Sequence, residues 1–264
     1  MVAISRSGEK MKFLLVNDDG IQAPGMAALV GSVREQGKVT VIAPHQERSG
    51  MSQAITVHQP LRLTKVEQGY MLDGTPADCV KMGLQGLKLR PDLVLSGINS
   101  GANLGTDVLY SGTVAAALEA VMLGVPAVAF SLCGSDEFMP TAAHFVQRIL
   151  FEDPGLMHRL DLLPQGGVLN INIPALPVDQ IKGVRITRQG VRHYEGVFER
   201  REDPRGGVYY WMGGRPTTLT LQELEIDLVA VEQGYVSITP LQFDLTFHKE
   251  IPRLTEVFVE NGFV

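Results

Sequence analysis

Through the first two-thirds of the chain, short unbroken apolar runs alternate with stretches whose apolar positions recur every three or four residues. Phe13-Leu14-Leu15-Val16 is the first run, and Asn17-Asp18-Asp19-Gly20 stops it. Residues 24–33 then place Met26, Leu29, Val30 and Val33 on one helical stripe. Val39-Thr40-Val41-Ile42-Ala43 forms a second strand, closed by Pro44. The cycle returns with Leu93-Val94-Leu95 as strand, residues 114–123 as helix and residues 125–130 as strand. Strands that are apolar on both faces are the habit of a parallel sheet covered by crossover helices. The pattern predicts an α/β fold with a doubly wound, mostly parallel sheet core.

After about residue 184 the pattern changes. Residues 197–201 and 208–211 flank Glu202-Asp203-Pro204-Arg205-Gly206-Gly207 and read as a hairpin around a Pro/Gly turn. Trp211, Tyr194, Tyr209 and Tyr210 fall in or beside it. A lone hairpin with so much aromatic surface is marginal in water. It is expected to pack on the core or on another subunit, the second being favoured. The division expected is residues 1–10 as a disordered extension, with an alternative start at Met11, residues 11–184 as the core, and residues 185–264 as a β-rich C-terminal extension carrying an oligomerisation hairpin.

Composition narrows the picture. The 264 residues carry 23 Lys+Arg and 29 Asp+Glu, a formal charge of −6, which argues against broad electrostatic binding to DNA or an anionic membrane. The 45% hydrophobic and 20% charged content suits a globular chain with a sizeable core. No apolar run is long enough to span a bilayer, and the first ten residues lack the apolar segment of a secretory signal, so the cytoplasm is the expected compartment. Cys79 and Cys133 lie far apart in apolar surroundings and read as buried, reduced thiols. The six histidines show no metal-binding spacing, and His248 near Asp244 suits a hydrogen bond or an interface.

Three segments carry candidate chemistry. Asp18 and Asp19 leave the carboxyl end of the first strand, where open α/β sheets place ligands, and Gly20 permits the turn. Two adjacent carboxylates repel, and a divalent cation relieves them. The plain alternative is a turn with Asp19 as helix N-cap. The loop after the second strand, His45 to Ser52, offers the Ser49 hydroxyl to a hard cation and Arg48 to an anion, or is simply a solvated loop. The third segment is the strongest. Gly97, Gly101, Gly105 and Gly112 punctuate a loop between a buried strand and a buried helix, and Ser111-Gly112-Thr113 stands where that helix begins. Free backbone N–H groups and the helix dipole make an anion site there, while Ser111 or Thr113 caps the helix. Asn99 adds a neutral oxygen. Neither GxxxxGK[ST] nor GxGxxG is present. Thr75-Pro76-Ala77-Asp78 reads as a helix cap.

NDDG after the first strand, RSGMS in the second loop, DGTPADCV and PDLVLSGINSGANLGTDVLYSGTVAAALEA together resemble the SurE family, and TRQGVRHYEG (187–196) and GYVSITPL (234–241) extend the likeness. The resemblance implies a Rossmann-like core, one Mg²⁺ or Mn²⁺ per subunit, and removal of phosphate from nucleoside 5′- and 3′-monophosphates. It implies metal ligands at Asp18, Asp19, Ser49 and Asn99, all oxygen donors as a small hard cation requires. It also implies that Asn103, Ser111, Gly112 and Thr113 face the phosphate, and that C-terminal arms exchange within a homodimer or homotetramer. Glu119-Ala120 and Ile226-Asp227 depart from the family's usual Glu-Gly and Thr-Asp, and neither removes a ligand.

The expectation is therefore a metal-dependent phosphatase in which Asn99 positions the phosphoryl group. Asp18 serves either as general base or as nucleophile, and the lack of a DxDxT signature favours direct attack by water. The rivals are a non-catalytic nucleotide-binding module and a Rossmann-type transferase.

Overall fold

The computed structural model describes residues 10–152, 155–158, 163–217 and 223–260. Apart from Lys10, the expected N-terminal extension lies outside the described residues. Strand β1 (Met11–Val16), helix α1 (Pro24–Val33) and strand β2 (Gly37–Pro44) open the chain. A hairpin of β3 (Leu63–Val66) and β4 (Gly69–Leu72) leads to α2 (Pro76–Lys81). Then come β5 (Leu93–Ser100), α3 (Gly112–Met122), β6 (Ala127–Cys133), α4 (Met139–Phe151), β7 (Gly167–Pro174) and β8 (Val184–Ile186). The C-terminal part holds β9 (Tyr194–Glu195), β10 (Phe198–Glu202), β11 (Val208–Met212), β12 (Arg215–Pro216), α5 (Asp227–Glu232), β13 (Val236–Gln242) and α6 (Ile251–Glu260).

Nine strands form the central sheet in the order β3-β4-β2-β1-β5-β6-β7-β13-β8. The run from β4 to β7 is parallel, as the unbroken apolar strands predict. β3 pairs antiparallel with β4 at one edge, and β13 pairs antiparallel with β7 near the other. The C-terminal part thus returns a strand to the sheet that the first 184 residues begin.

Alternate side chains of each strand serve opposite faces, and two clusters show it. Phe13, Leu15, Val41, Leu95 and Phe130 pack with Met26 and Leu29 of α1 and Phe145 and Val146 of α4. Leu14, Val16, Ile42, Val94 and Ala129 pack on the other side with Cys79 and Val80 of α2 and Val114, Ala116 and Ala117 of α3. Each large aliphatic side chain buried here contributes about 1.5–3 kcal/mol. The alanine-rich face of α3 lets that helix lie close over the middle of the sheet. At Gly25 an added Cβ would sit 1.8 Å from the Ile98 carbonyl oxygen, so only glycine lets the start of α1 press against β5.

The chain leaves β1 for β2 on one side and later returns to β5 on the other. That reversal opens a crevice at the carboxyl ends of β1 and β5. β5 outruns its apolar stretch. A register shift between Ser96 and Asn99 lets pairing with β6 resume at Asn99 and Ser100, whose polar side chains hide a strand from hydrophobic periodicity.

The predicted hairpin is present as β10 and β11, paired from Phe198↔Met212 to Glu202↔Val208. Phe198, Tyr210, Trp211 and Met212 are 59–76% exposed, so within one chain the hairpin does not pack on the core. Among the described residues no helix is long and apolar enough to cross a membrane.

Candidate active site

β1 delivers Asn17, Asp18 and Asp19 to the crevice. Asn17 clasps the turn through both ends of its amide, donating to the Gly20 carbonyl at 2.8 Å and accepting from the Gly20 N–H at 3.2 Å. Gly20 adopts φ +104°, where a side chain would be strained. The clasp is what lets two consecutive carboxylates leave a strand and face one cavity. Asp19 is not a helix cap: α1 starts five residues later, with Ala23 at its N-cap and Pro24 in its first turn. Its carboxylate instead accepts the Ser100 N–H at 3.0 Å and ties the ends of β1 and β5 together.

Asp18 is buried and locked in place. The Thr113 hydroxyl donates to Asp18 Oδ1, and the N–H groups of Gly112 and Thr113 also favour its ionised form. Burial is the larger influence and raises its pKa. A Cβ at Gly112 would lie 2.9 Å from Asp18 Oδ2, so the start of α3 meets this carboxylate through a backbone that only glycine supplies. The sequence points Gly112 and Thr113 at a phosphate; in the structure Thr113 is fully buried and its hydroxyl is spent on Asp18. Ser111 is the helix cap, its Oγ accepting the Val114 N–H at 3.0 Å. Its own proton is left to donate.

The loop after β2 is anchored by the Arg48 N–H, which donates to the Asp18 carbonyl at 2.7 Å. Ser49 Oγ donates to Glu47 Oε1 at 2.7 Å and keeps its lone pairs. Asn99 donates to the Gly101 carbonyl at 2.9 Å, which fixes its amide. Asn103 is belted from behind: its Nδ2 donates to Ser131 Oγ, and its backbone bonds to Asn170 and Asn172. Asp18, Asp19, Ser49, Asn99, Asn103 and Ser111 all line one cavity of about 180 Å³. Gly112 and Thr113 stand behind its wall.

Electrostatics characterise this cavity. Asp19 is pushed up to about 6, first by burial, with the Ser100 N–H opposing and the charges of Asp18, Glu47 and Asp136 adding to the rise. Glu47 and Asp107 also line the cavity. Asp107 is neutralised by Arg192 Nη1 at 2.9 Å and bonded by the Tyr194 hydroxyl at 2.5 Å. The remaining carboxylates face one another across neutral groups. A dianionic phosphate cannot enter such a cavity without a compensating cation. Two carboxylates, a hydroxyl and an amide form a set of hard oxygen donors, which fits Mg²⁺ or Mn²⁺. Among the described residues no three His, Cys, Asp or Glu side chains gather as a metal site.

Sequence reasoning missed Glu47, Asp107 with its partners, and Asp227. Asp227 is fully buried, and its carboxylate accepts the N–H groups of Gly105, Gly190 and Leu228 at 2.8–2.9 Å. It knots the glycine-rich loop to the segment around Gly190 and to α5. Acid–backbone pairs this far apart in the chain leave no local signal.

A family model described as Survival protein SurE matches residues 13–196. A curated relative from Carboxydothermus hydrogenoformans, named 5′-nucleotidase SurE, is 49% identical over 249 residues, spanning 89% of this chain and 92% of the relative. Another of the same name, from Natranaerobius thermophilus, is 45% identical over 251 residues, spanning 89% and 94%. The solved structure of the Sure protein from Aquifex aeolicus is similar at a TM-score of 0.78 and 39% identity, covering 93% of this chain and 99% of that one.

Proposed function

The chain belongs to the SurE family, and from that premise we propose that it hydrolyses the phosphate monoester of nucleoside 5′-monophosphates, and of 3′-monophosphates, to nucleoside and phosphate. The observation that carries the reading is the gathering of Asp18, Asp19, Ser49 and Asn99 around one carboxylate-rich cavity beside the start of α3. We assign these four as ligands of one divalent cation, Mg²⁺ or Mn²⁺. When bound, the cation neutralises phosphoryl charge and favours ionisation of water.

The chain's own groups supply the rest. Asp18, held by Thr113, is oriented to accept a proton from the attacking water. Ser111 Oγ donates to a phosphoryl oxygen, and the Asn103 amide offers an N–H to another. Asn99 fixes the phosphoryl group in line with the water. Gly112 and Thr113 act on the substrate through Asp18, whose orientation they fix.

We also propose that the exposed hairpin is covered by a second copy in a homodimer or homotetramer with exchanged C-terminal arms. Aromatic surface on both faces of a two-stranded ribbon supports that reading. The two free cysteines suit a reducing compartment, and we place the protein in the cytoplasm.

Phosphate release from AMP and GMP with Mg²⁺ or Mn²⁺, with and without EDTA, tests the activity. The expected result is turnover that stops with chelator and returns with excess metal. Binding without turnover would favour a nucleotide-binding module, and release only with an added acceptor would favour a transferase. Asp18→Asn and Asp19→Ala are each expected to lower kcat roughly 1,000-fold while circular dichroism stays native. Full activity of either at saturating metal would remove the assignment.

A further inference from the structure

We propose that the nucleoside half of the substrate sits in a second cleft, on the opposite side of the loop that follows β2, so that one loop serves both ends of the ester. The proposal rests on the reading that the cavity at Asp18 takes the phosphate. That cavity, about 180 Å³, is of a size for a phosphoryl group and a cation and lies below the usual range of a whole small-molecule site. The neighbouring cleft measures about 360 Å³, the size of a small-molecule site.

The loop divides its residues between the two spaces. Glu47, Ser49 and Gly50 line the phosphate cavity, whereas Arg48 and Met51 line the cleft. The partition is held firmly. Arg48 N–H is bonded to the Asp18 carbonyl, and Ser52 donates through its N–H to the Tyr110 carbonyl at 3.0 Å and through Oγ to the Leu109 carbonyl at 2.7 Å. Thr56 donates twice to Asp78. The far wall is joined to the same frame: Thr75 Oγ1 donates to the Ala54 carbonyl at 2.7 Å, and Pro76 abuts Gly112 at the start of α3. A substrate crossing from one space to the other therefore meets a ridge fixed by these bonds.

The lining chemistry fits a nucleobase. Guanidinium planes and a thioether stack on aromatic faces, and an amide or carboxylate pairs with ring-edge donors and acceptors. Arg48, Arg62, Met51, Gln59 and Asp73 supply these groups. The two arginines are available. Arg48 Nη2 stands 3.7 Å from Asp73 Oδ1, a loose contact, and its buried Nε has no acceptor. Arg62 is exposed and lines the cleft.

Calorimetric titration of the full chain with adenosine, and separately with inorganic phosphate in the presence of Mn²⁺, tests the assignment. Adenosine is expected to bind the unaltered protein, and Arg62→Ala and Gln59→Ala each to weaken it about tenfold. Phosphate binding is expected to stay within twofold, which also shows that the variants are folded. In kinetics the same variants raise KM for AMP with little change in kcat. Failure of adenosine to bind, or equal weakening of both ligands, would overturn the proposal. Tighter response of pyrophosphate than of adenosine to Arg62→Ala would also overturn it, by making the cleft an anion site. AMP turnover by the unaltered protein reports separately: adenosine binding without turnover removes the enzymatic reading and leaves the cleft, and turnover without adenosine binding does the reverse.

Discussion

At the scale of the residue, Asp18 owes its usefulness to neighbours it does not touch in sequence. Thr113→Val removes the hydroxyl that orients it while leaving every assigned ligand, and is expected to lower kcat by about 10- to 100-fold with little change in melting temperature. Steady-state kinetics beside calorimetry checks the separation. Gly112→Ala is expected to cost more in activity, because the new methyl would displace the carboxylate itself. The aspartates were legible in the sequence because polar acids that end an apolar strand have few structural reasons to be there. Thr113's role was not, because a threonine at a helix start reads equally well as a cap or a phosphate contact, and only the folded chain shows where its hydroxyl points. Asp19 yields a pH prediction. Its pKa is about 6 in the folded, cation-free chain against 3.8 for an ordinary aspartate, so the folded state holds the proton more tightly than the unfolded state. Its contribution to stability is complete below about 4 and is lost as pH rises through about 6. Mn²⁺ competes with that proton, so it should raise the melting temperature clearly at pH 7.5 and little at pH 4.5. Equal shifts at both values would contradict the assignment of Asp19 as a ligand.

At the scale of the element, the site is made by ends rather than by faces. β1, β2 and β5 stop at one crevice, and α3 begins there, so the donors are positioned by where elements terminate. Apolar periodicity exposed β1 and β2 well and α1 over the whole of Pro24–Val33, since each is defined by side chains that must be buried. It lost the last residues of β5, where pairing is carried by backbone beneath polar side chains. Gly25 shows the same principle in packing. Gly25→Ala would drive a methyl into the Ile98 carbonyl and push α1 off the strand that carries Asn99. A loss of about 1–3 kcal/mol in denaturant unfolding is expected, with a parallel rise in the Mn²⁺ concentration needed for half-maximal activity. Asp227 is the longest-range case. Asp227→Ala leaves three buried N–H groups without an acceptor, and a destabilisation of roughly 3 kcal/mol is expected, measurable as a lower urea midpoint.

At the scale of the whole molecule, two apolar clusters, one on each face of the sheet, account for the sheet and its four main helices, while the hairpin and α6 carry Phe198, Trp211, Ile251 and Leu254 exposed. The sequence showed the hairpin by its turn residues and aromatic content. It did not show that β13 returns to lie between β7 and β8, because a short alternating strand carries no record of its partner. Removing residues 197–212 is expected to reduce the assembly seen by light scattering while leaving the binding of phosphate with Mn²⁺ in place; an unchanged mass would contradict the proposed subunit contact. The knot at Asp227 has a consequence for the order in which the protein is made. All four assigned oxygen ligands have left the ribosome once residue 99 emerges, yet the glycine-rich loop stays unmoored until residue 227 follows. A growing or prematurely ended chain therefore carries the acidic donors without the anchored loop behind them, and phosphatase capacity waits for residue 227 to take its place.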